Sequence, residues 1–266
     1  MHHNRHRLII AIAFSVFGLY ACMADNNKQT EIFLPVTATS VVPHDPSIPT
    51  TGDLCNNPYT PIKMGSTWTY RSAGGPDGDF TYTKTITETH PDRFIVTSQF
   101  SNSSRSQEWV CDTEGIRSLK PGDETTAGLS AQEIAAEFTT QEVTGYIFPK
   151  LITPGMQWQY GLKMQGPPLS NDPNTLSTGT YTVTVQEFGV DTVTTPAGTF
   201  NTVKFQTSTI VNITADFEGV QIPVAINSSS VIWYSANVGF VKSVEGSDFS
   251  GTAYTATTEL QSYFIP

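Results

Sequence analysis

The sequence predicts an all-β protein built on one large, strongly curved antiparallel sheet, a barrel or half-barrel. Two observations carry this prediction. Threonine-rich segments alternate apolar with polar residues, as in "FTYTKTITE" (80–88) and "YTVTVQE" (181–187), the pattern of a strand with one buried face and one solvated face. Clusters of turn-forming residues, such as "GGPDGD" (74–79) and "TPAGTF" (195–200), separate these segments as in hairpins.

A repeated strand start indicates that the sheet has two related halves. "GSTWTY" (65–70) returns as "GMQWQY" (155–160), and each copy follows a turn glycine and precedes a threonine-alternating strand. Side chains alternate along a strand, so the tryptophan and the tyrosine of each copy share one face. We expect these aromatic residues to face inward: Trp68, Tyr70, Trp158 and Tyr160.

The longest strand segments lie in the C-terminal third of the chain. They cover residues 200–217 and 220–236 and continue from 239 to 264. Long strands that follow one another in sequence favour a curved sheet over a flat sandwich. Pro223 lacks a backbone N–H and therefore predicts a sheet edge or a bulge.

One segment, "SAQEIAAEF" (130–138), resembles a helix. Ser130 and Glu133 have capping-box spacing, and the interior is rich in alanine. Because "EFTTQEVTGYIF" (137–148) directly after it has strand character, the sequence predicts at most one short helix.

The N-terminus has the organisation of an export signal. A positively charged "MHHNRHR" precedes an apolar run at residues 8–19, which is too short to span a bilayer because a span needs about 20 apolar residues. The following "LYAC" (19–22) resembles the lipobox of bacterial lipoprotein precursors, with Tyr20 bulkier than the usual residue. This resemblance implies a signal peptide at 1–21 and a diacylglyceryl group on Cys22; ordinary secretion is the alternative.

The remaining chain divides into a tether and a domain. The acyl chains on Cys22 would hold the protein at the membrane from the extracytoplasmic side of the bacterial cell envelope, since each buried methylene contributes about 0.8 kcal/mol. Residues 22–54 comprise this cysteine and a flexible Thr-, Ser- and Pro-rich tether. Residues 55–266 are expected to form a single β domain with its own core.

The charge balance excludes one class of partner. Without Arg5 and Arg7 the mature chain has 12 basic residues against 24 acidic ones. An acidic chain of this kind cannot displace counterions from nucleic acid, and its charge does not attract it to anionic lipid. The sequence does not identify a protein partner.

Two cysteines, Cys55 and Cys111, remain in an oxidising compartment and predict a disulfide. It would close a loop of 57 residues, which on the chain-entropy model stabilises the fold by about 4 kcal/mol. The alternatives are two free thiols or a metal site. Only His44 and His90 survive in the mature chain, and neither has ligand spacing to a cysteine, so we expect no metal and no cofactor.

Catalytic motifs are absent, and the sequence predicts a protein that is not an enzyme. It contains no nucleophile elbow, phosphate loop, dinucleotide fingerprint or HExxH. Carboxylates in or beside strands are numerous enough for sugar hydrolysis, but sequence does not place two of them at working distance. These candidates, more simply rim residues of an acidic protein, are Glu88, Glu108, Glu187 and Glu259.

Motif order from Cys55 to the C-terminus resembles a group of uncharacterised bacterial envelope lipoproteins. The matching stretches are "NPYTPIKMGSTWTYR", "VTTPAGTFNTVKF" and "IWYSANVGFVKS", which carry the group's GxxWxY, PAGTF and WYxxxVGxVK motifs. The resemblance implies no activity, since the group has none assigned. More distantly, the all-β pattern is similar to the open barrels of the Lol lipoprotein carriers, which hold acyl chains on a concave aromatic face.

Two functions follow as hypotheses. The first is a binding module that takes up a lipid or another apolar ligand on the concave face of its sheet. The second is a membrane-tethered scaffold that works through protein–protein contacts at its threonine-rich face or an exposed edge strand. The candidate ligand-binding residues of the first hypothesis, which equally well fill a core, are Trp68, Tyr70, Phe80, Tyr82, Trp158, Tyr160 and Tyr181.

Overall fold

The structure is a computed structural model that describes residues 54–75, 78–122, 138–166, 177–217, 220–249 and 252–266. All of them belong to one unit, Ile48–Pro266. The predicted signal peptide, Cys22 and the predicted tether lie outside the described residues, apart from Leu54. The helix predicted at 130–138 also lies outside them, apart from Phe138.

Every regular element of the described residues is a strand, and together they form a single antiparallel sheet. The strands are β1 (Thr67–Ala73), β2 (Phe80–Thr89), β3 (Arg93–Gln99), β4 (Ser104–Cys111), β5 (Gly115–Ser118), β6 (Thr139–Gly145), β7 (Phe148–Pro149), β8 (Gln157–Gly166), β9 (Ser177–Thr195), β10 (Gly198–Phe217), β11 (Val220–Ser235), β12 (Gly239–Phe249) and β13 (Thr252–Phe264). Their order across the sheet is β6, β8, β9, β10, β11, β12, β13, β1, β2, β3, β4, β5 and β7. The all-β prediction is confirmed.

Sequence alternation becomes alternation of burial. In β2, Tyr82 and Ile86 are buried while Thr81 and Thr87 are exposed. In β9 the buried residues are Tyr181, Val183 and Val185. On the other face of the sheet, threonine hydroxyls bond to one another between neighbouring strands: Thr69 with Thr83 at 3.2 Å and Thr87 with Thr97 at 3.1 Å.

The turn predicted at "TPAGTF" is present between β9 and β10, and Pro223 lies at an edge, as predicted. Gly198 has a φ of 137° at the β9–β10 turn, a conformation that favours glycine. Pro223 lies in β11 opposite Thr214 of β10, whereas β11 pairs with β12 only from Asn227 onward. On the β12 side, Pro223 therefore occupies an edge, where its missing N–H breaks no ladder bond.

The sheet is strongly curved and open. Its edge strands are β6 and β7, yet β6 ends at Gly145 and β7 begins at Phe148. The chain passes from one edge to the other across two residues, so the sheet must curve until its edges meet. We call this line of approach the seam. Tyr160 of β8 bridges it by donating a hydrogen bond from its hydroxyl to the carbonyl oxygen of Ser118 in β5 (2.6 Å).

Residues 54–66 cross one end of the sheet, and we call them the cover segment. Tyr59 of this segment is buried and packs edge-on against Phe205 of β10, with ring centroids 5.9 Å apart. Hydrogen bonds hold the segment to the domain, among them Leu54 N–H to Pro91 O (3.2 Å), Asn237 N–H to Pro58 O (2.8 Å) and Lys63 Nζ to Pro266 O (2.9 Å).

The predicted disulfide is present and fixes the start of the cover segment. Cys55 and Cys111 are bonded with their Cα atoms 5.1 Å apart, and both side chains are buried. The bridge joins the cover segment to the end of β4.

The described residues contain no helix that is long and apolar enough to cross a bilayer. In the same residues, no group of three or more His, Cys, Asp or Glu side chains could hold a metal ion.

Candidate functional site

The two Trp-Tyr strand starts have the same local structure. Before β1, the Ser66 N–H donates to the Lys63 carbonyl (3.0 Å); before β8, the Met156 N–H donates to the Thr153 carbonyl (3.0 Å). The third residue of each turn is a glycine with positive φ, Gly65 at 80° and Gly155 at 75°, as a type II turn requires. The two copies are therefore equivalent turn-and-strand units.

The aromatic residues of the first copy donate hydrogen bonds across the core. The Trp68 indole N–H donates to the Val238 carbonyl (2.7 Å), and the Tyr70 hydroxyl donates to the Phe240 carbonyl (3.1 Å). Both acceptors lie at the start of β12 or in the turn before it. These bonds satisfy polar groups that are shielded from water, whose desolvation is otherwise costly.

The second copy repeats this arrangement at the seam. The Trp158 indole N–H donates to the Ile147 carbonyl (3.1 Å), and the Tyr160 hydroxyl bonds to Ser118 as described above. Burial raises the pKa of the Tyr160 phenol far above its usual value of 10, which keeps the hydroxyl protonated as a donor. In both copies the repeated aromatic pair thus attaches its strand to a distant segment.

The structure places all seven predicted ligand-binding residues inside the domain. Trp68, Tyr70, Tyr82, Tyr160 and Tyr181 are buried, and Phe80 and Trp158 are half-buried. They form two groups, Trp68, Tyr70, Phe80 and Tyr82 around β1 and β2 and the other three around β8 and β9. Three further aromatic rings, which were not among the predicted residues, connect the two groups. They are Phe240, Tyr234 and Phe205, and the centroids of successive rings are 5.9 and 5.7 Å apart.

A narrow apolar cleft lies beside the second group. Its walls come from β8, β9, β10 and β11, and Ile147 and Phe148 cover it. Its volume is about 40 Å³, close to the roughly 30 Å³ that one water molecule occupies and far below the roughly 300–1,000 Å³ of ligand pockets. The aromatic and aliphatic side chains in its walls include Trp158, Tyr160, Tyr181, Val183, Phe205 and Tyr234.

Residues 146–150 cover the cleft, and we call them the crossing segment. Two strand pairs hold it to the edge of the sheet, Phe148 with Ile116 and Pro149 with Gly115. The N–H groups of Ile147 and Lys150 also donate to the carbonyls of Ile116 (2.9 Å) and Glu114 (2.7 Å). Inside, the Phe148 ring meets the Tyr234 ring edge-on, with centroids 5.1 Å apart. Sequence periodicity did not reveal this cover, because Phe148 continues an apparent strand whose actual end is Gly145, with a φ of 65°.

A polar cluster fixes the exposed side of the crossing segment. The Arg117 guanidinium donates to the Tyr146 hydroxyl (2.9 Å) and lies over its ring, 4.5 Å from the centroid. Arg117 also forms an ion pair with Asp112. Partial burial raises the pKa of Asp112, but the N–H groups of Glu114 and Gly115 and the Arg117 charge together lower it more. The carboxylate therefore stays ionised and keeps Arg117 in place.

The carboxylates considered for catalysis take part in structural contacts. The buried Glu187 accepts the N–H of Gly155 (2.5 Å) and of Gly189 (2.9 Å), which joins the turn before β8 to β9. The other three pair with basic side chains: Glu259 with Lys242 at 2.7 Å, Glu108 with Arg93 at 3.7 Å and Glu88 with His90 at 3.8 Å.

The chain is similar to three solved structures of bacterial proteins that are described as exported proteins or lipoproteins. An exported protein with a YmcC-like fold from Bacteroides fragilis has 13% identity and a TM-score of 0.48, over 78% of this chain and 99% of that one. A lipoprotein from Parabacteroides distasonis has 14% identity and a TM-score of 0.46, over 77% and 98%. The lipoprotein YmcC from Escherichia coli has 10% identity and a TM-score of 0.34, over 77% and 87%.

Comparison of sequences gives one further result. No curated protein matches the chain significantly. A family model described as DUF3108-like matches residues 170–260, the stretch that contains β9 to β12 and most of β13.

Proposed function

We propose that this protein is a bacterial cell-envelope lipoprotein without enzymatic activity, anchored by an acylated Cys22, whose domain binds a lipid or another apolar ligand in the cleft beneath the crossing segment. The observation that carries the binding proposal is an apolar cleft beside the seam, where the described strands do not close the curved sheet by pairing. A gap in the ladder lets a covering segment move without breaking a continuous sheet.

Uptake requires the crossing segment to move outward. At 40 Å³ the closed cleft has no room for an acyl chain. Displacing Phe148 would break two strand pairs and the Trp158 indole bond to Ile147, and it would uncover the ring of Tyr234. An acyl chain in that space would replace the ring of Phe148 as the apolar cover, so that the apolar walls stay shielded from water.

The side chains that line the cleft favour ligand binding over catalysis. Its lining is almost entirely aromatic and aliphatic, and the four carboxylates named above lie in contacts with backbone N–H groups or basic side chains. A binding site needs apolar area, whereas acid–base catalysis needs a titrating group within reach of the substrate.

The anchor has a direct test. We expect Cys22→Ser to move the protein from the membrane fraction to the soluble envelope fraction, because the acyl chains are the proposed attachment. The mature protein should also carry the added mass of a lipid in mass spectrometry, and the variant should not. Unchanged fractionation of Cys22→Ser, with no lipid mass on the parent protein, would contradict the anchor.

Ligand uptake is testable on the full chain carrying Cys22→Ser, with palmitic acid as the probe. We expect palmitic acid to bind in native mass spectrometry and to change tryptophan emission, because lifting the crossing segment breaks the Trp158–Ile147 hydrogen bond. The emission change should disappear in Trp158→Phe and persist in Trp109→Phe. Trp109 is a suitable control because it stacks on Phe94 (5.8 Å) outside the cleft.

Two results would overturn the binding proposal. One is the absence of any protein–palmitate complex below the critical micelle concentration of the acid. The other is an emission change that survives in Trp158→Phe, because the ligand would then bind elsewhere on the domain.

A scaffold function is the second candidate, and the observation that favours it is the edge strand β6. Among the described strands, Thr139–Gly145 pairs with β8 alone, and a partner strand can add to such an edge through main-chain hydrogen bonds.

A further inference from the structure

Exposed apolar side chains are concentrated at one end of the sheet. Among the described residues eight large apolar side chains are exposed, and seven of them lie at the end crossed by the cover segment: Phe188 and Val190 on the part of β9 beyond its pairing with β8, and five around the cover segment itself. Scattered exposed apolar residues are normal, whereas a group on one surface indicates an interaction site. The five are Leu54, Met64, Leu151, Tyr263 and Phe264.

Hydrogen bonds and strand pairing place these five residues on the same end. Lys150 Nζ donates to the carbonyl of Leu54 (3.3 Å), which brings Leu151 beside the start of the cover segment. At the other side of this end, Lys63 Nζ reaches the carbonyl of Pro266 (2.9 Å), and Phe264 pairs with Thr67 at the start of β1. We call this surface the entry end, because the described domain begins there.

The most exposed of the five have the composition of a membrane-interface contact. Met64, Leu151 and Phe264 are 55%, 60% and 61% exposed, and the first two directly follow Lys63 and Lys150. A lysine beside an apolar side chain can keep its ammonium among lipid headgroups while the neighbouring side chain enters the acyl region.

The chain outside the described domain indicates which surface this end meets. Residues 23–53 connect Cys22 to Leu54, and even fully extended they reach only about 110 Å. An anchored Cys22 therefore keeps the domain at a high effective concentration near the bilayer. The entry end is the part of the domain attached directly to this connection, which favours it over the other surfaces as the one that meets lipid.

We propose that the entry end docks on the lipid surface in which Cys22 is anchored, with Met64, Leu151 and Phe264 entering the interface. This inference rests on the proposed anchor. Docking would orient the seam and its cleft relative to the bilayer instead of leaving the domain free on its tether.

Charge makes a secondary contribution to this contact. The turns at the same end carry Asp92, Asp112 and Glu114 beside Lys63 and Lys150, so the entry end has no net attraction to anionic lipid. Apolar insertion should therefore drive docking, with little dependence on salt or on the fraction of anionic lipid.

The first experiment measures contact in the anchored protein. Leu151→Trp and Phe264→Trp are introduced separately into the lipidated full chain, reconstituted in phosphatidylcholine vesicles with brominated acyl chains, and the emission of the parent protein is subtracted. We expect the added tryptophan to be quenched several-fold more than one at Ile210→Trp. Ile210 is a matched control, since it is 41% exposed and lies in the middle of β10. Equal quenching at the three positions, or none at 151 and 264, would overturn the proposal.

The second experiment separates docking from anchoring. Residues 22–266 carrying Cys22→Ser lack both the acyl anchor and the apolar run at 8–19, and they should partition weakly onto phosphatidylcholine vesicles, with or without phosphatidylglycerol. Changing Met64, Leu151 and Phe264 together to serine should reduce this partition about tenfold or more, whereas Ile210→Ser should not. If the parent protein carries lipid on Cys22 but the triple serine variant partitions as well as Ile210→Ser, the docking proposal is wrong and the anchor stands. If the partition is lost as expected but no lipid is found on Cys22, docking stands and the anchor is wrong.

Discussion

Removing the Cys55–Cys111 disulfide is expected to lower the free energy of unfolding by about 4 kcal/mol. The bridge closes a loop of 57 residues that contains β1 to β4, and the unfolded chain gains the corresponding entropy when the loop opens. At roughly 2–4 °C per kcal/mol for a domain of this size, Tm should fall by about 8–16 °C. The variant is Cys55→Ala with Cys111→Ala in the Cys22→Ser chain, and urea and thermal unfolding measure the change.

The loss should first appear in the cover segment. Without the bridge, residues 54–66 remain attached mainly through Tyr59 and the backbone bonds to Pro91 and Asn237. Amide hydrogen exchange of Thr60 and Asn237 should therefore accelerate more than that of residues in β10. Dithiothreitol should reduce the stability of the parent to that of the double variant and leave the double variant unchanged. If the parent protein is unfolded and reduced with dithiothreitol, then refolded in its presence, and its Tm does not change, the disulfide is contradicted.

The sequence contained enough information for the strands and for this disulfide. Both depend on local or countable features: the alternation in β2 and β9, the turn residues near Gly198, and an even number of cysteines in an oxidising compartment. Burial follows alternation because a one-residue shift would move a whole strand's apolar set into water.

The arrangement at the seam could not be predicted in the same way. The segment at 137–148 reads as one continuous strand, whereas the structure ends it at Gly145 and sends Phe148 to the opposite edge of the sheet. Which strands meet across the core depends on how far the whole sheet curves. No local pattern records that curvature, so the acceptors of the Trp158 and Tyr160 hydrogen bonds were not identifiable.

For the predicted ligand-binding residues, the sequence pattern indicated which side chains face inward but not how much space lies between them. Alternation correctly placed the inward faces of Trp68, Tyr70, Trp158 and Tyr160, but it gave no indication of Phe205 or of Tyr234. These two rings fill the space between the two groups and reduce the interior to a narrow cleft. A count of inward aromatic residues therefore predicts a core, whereas the size of a cavity depends on packing between distant strands.

The seam depends on Gly145, and we expect Gly145→Ala to destabilise the domain by about 3 kcal/mol or more. Its φ of 65° disfavours a Cβ atom by about 1–2 kcal/mol. An added Cβ would in addition overlap the carbonyl oxygen of Gln159 in β8, which is backbone and cannot move aside by a rotamer change. Relieving that overlap displaces β6 from β8 and shifts the crossing segment, at an additional cost of about 1–3 kcal/mol.

Gly155 offers a matched control for this prediction, because it has nearly the same φ, 75°, but no atom lies within 4 Å of its added Cβ. Gly155→Ala should therefore show only the conformational cost, about 1–2 kcal/mol, in urea unfolding. Asparagine tolerates positive φ better than alanine, so Gly155→Asn should be close to neutral while Gly145→Asn stays strongly destabilising. Equal losses at the two positions would mean that φ alone matters and that β6 does not approach β8 closely at Gly145. A larger loss at Gly145, with a change in Trp158 emission, would instead tie the close approach of the two strands to the position of the segment that covers the cleft.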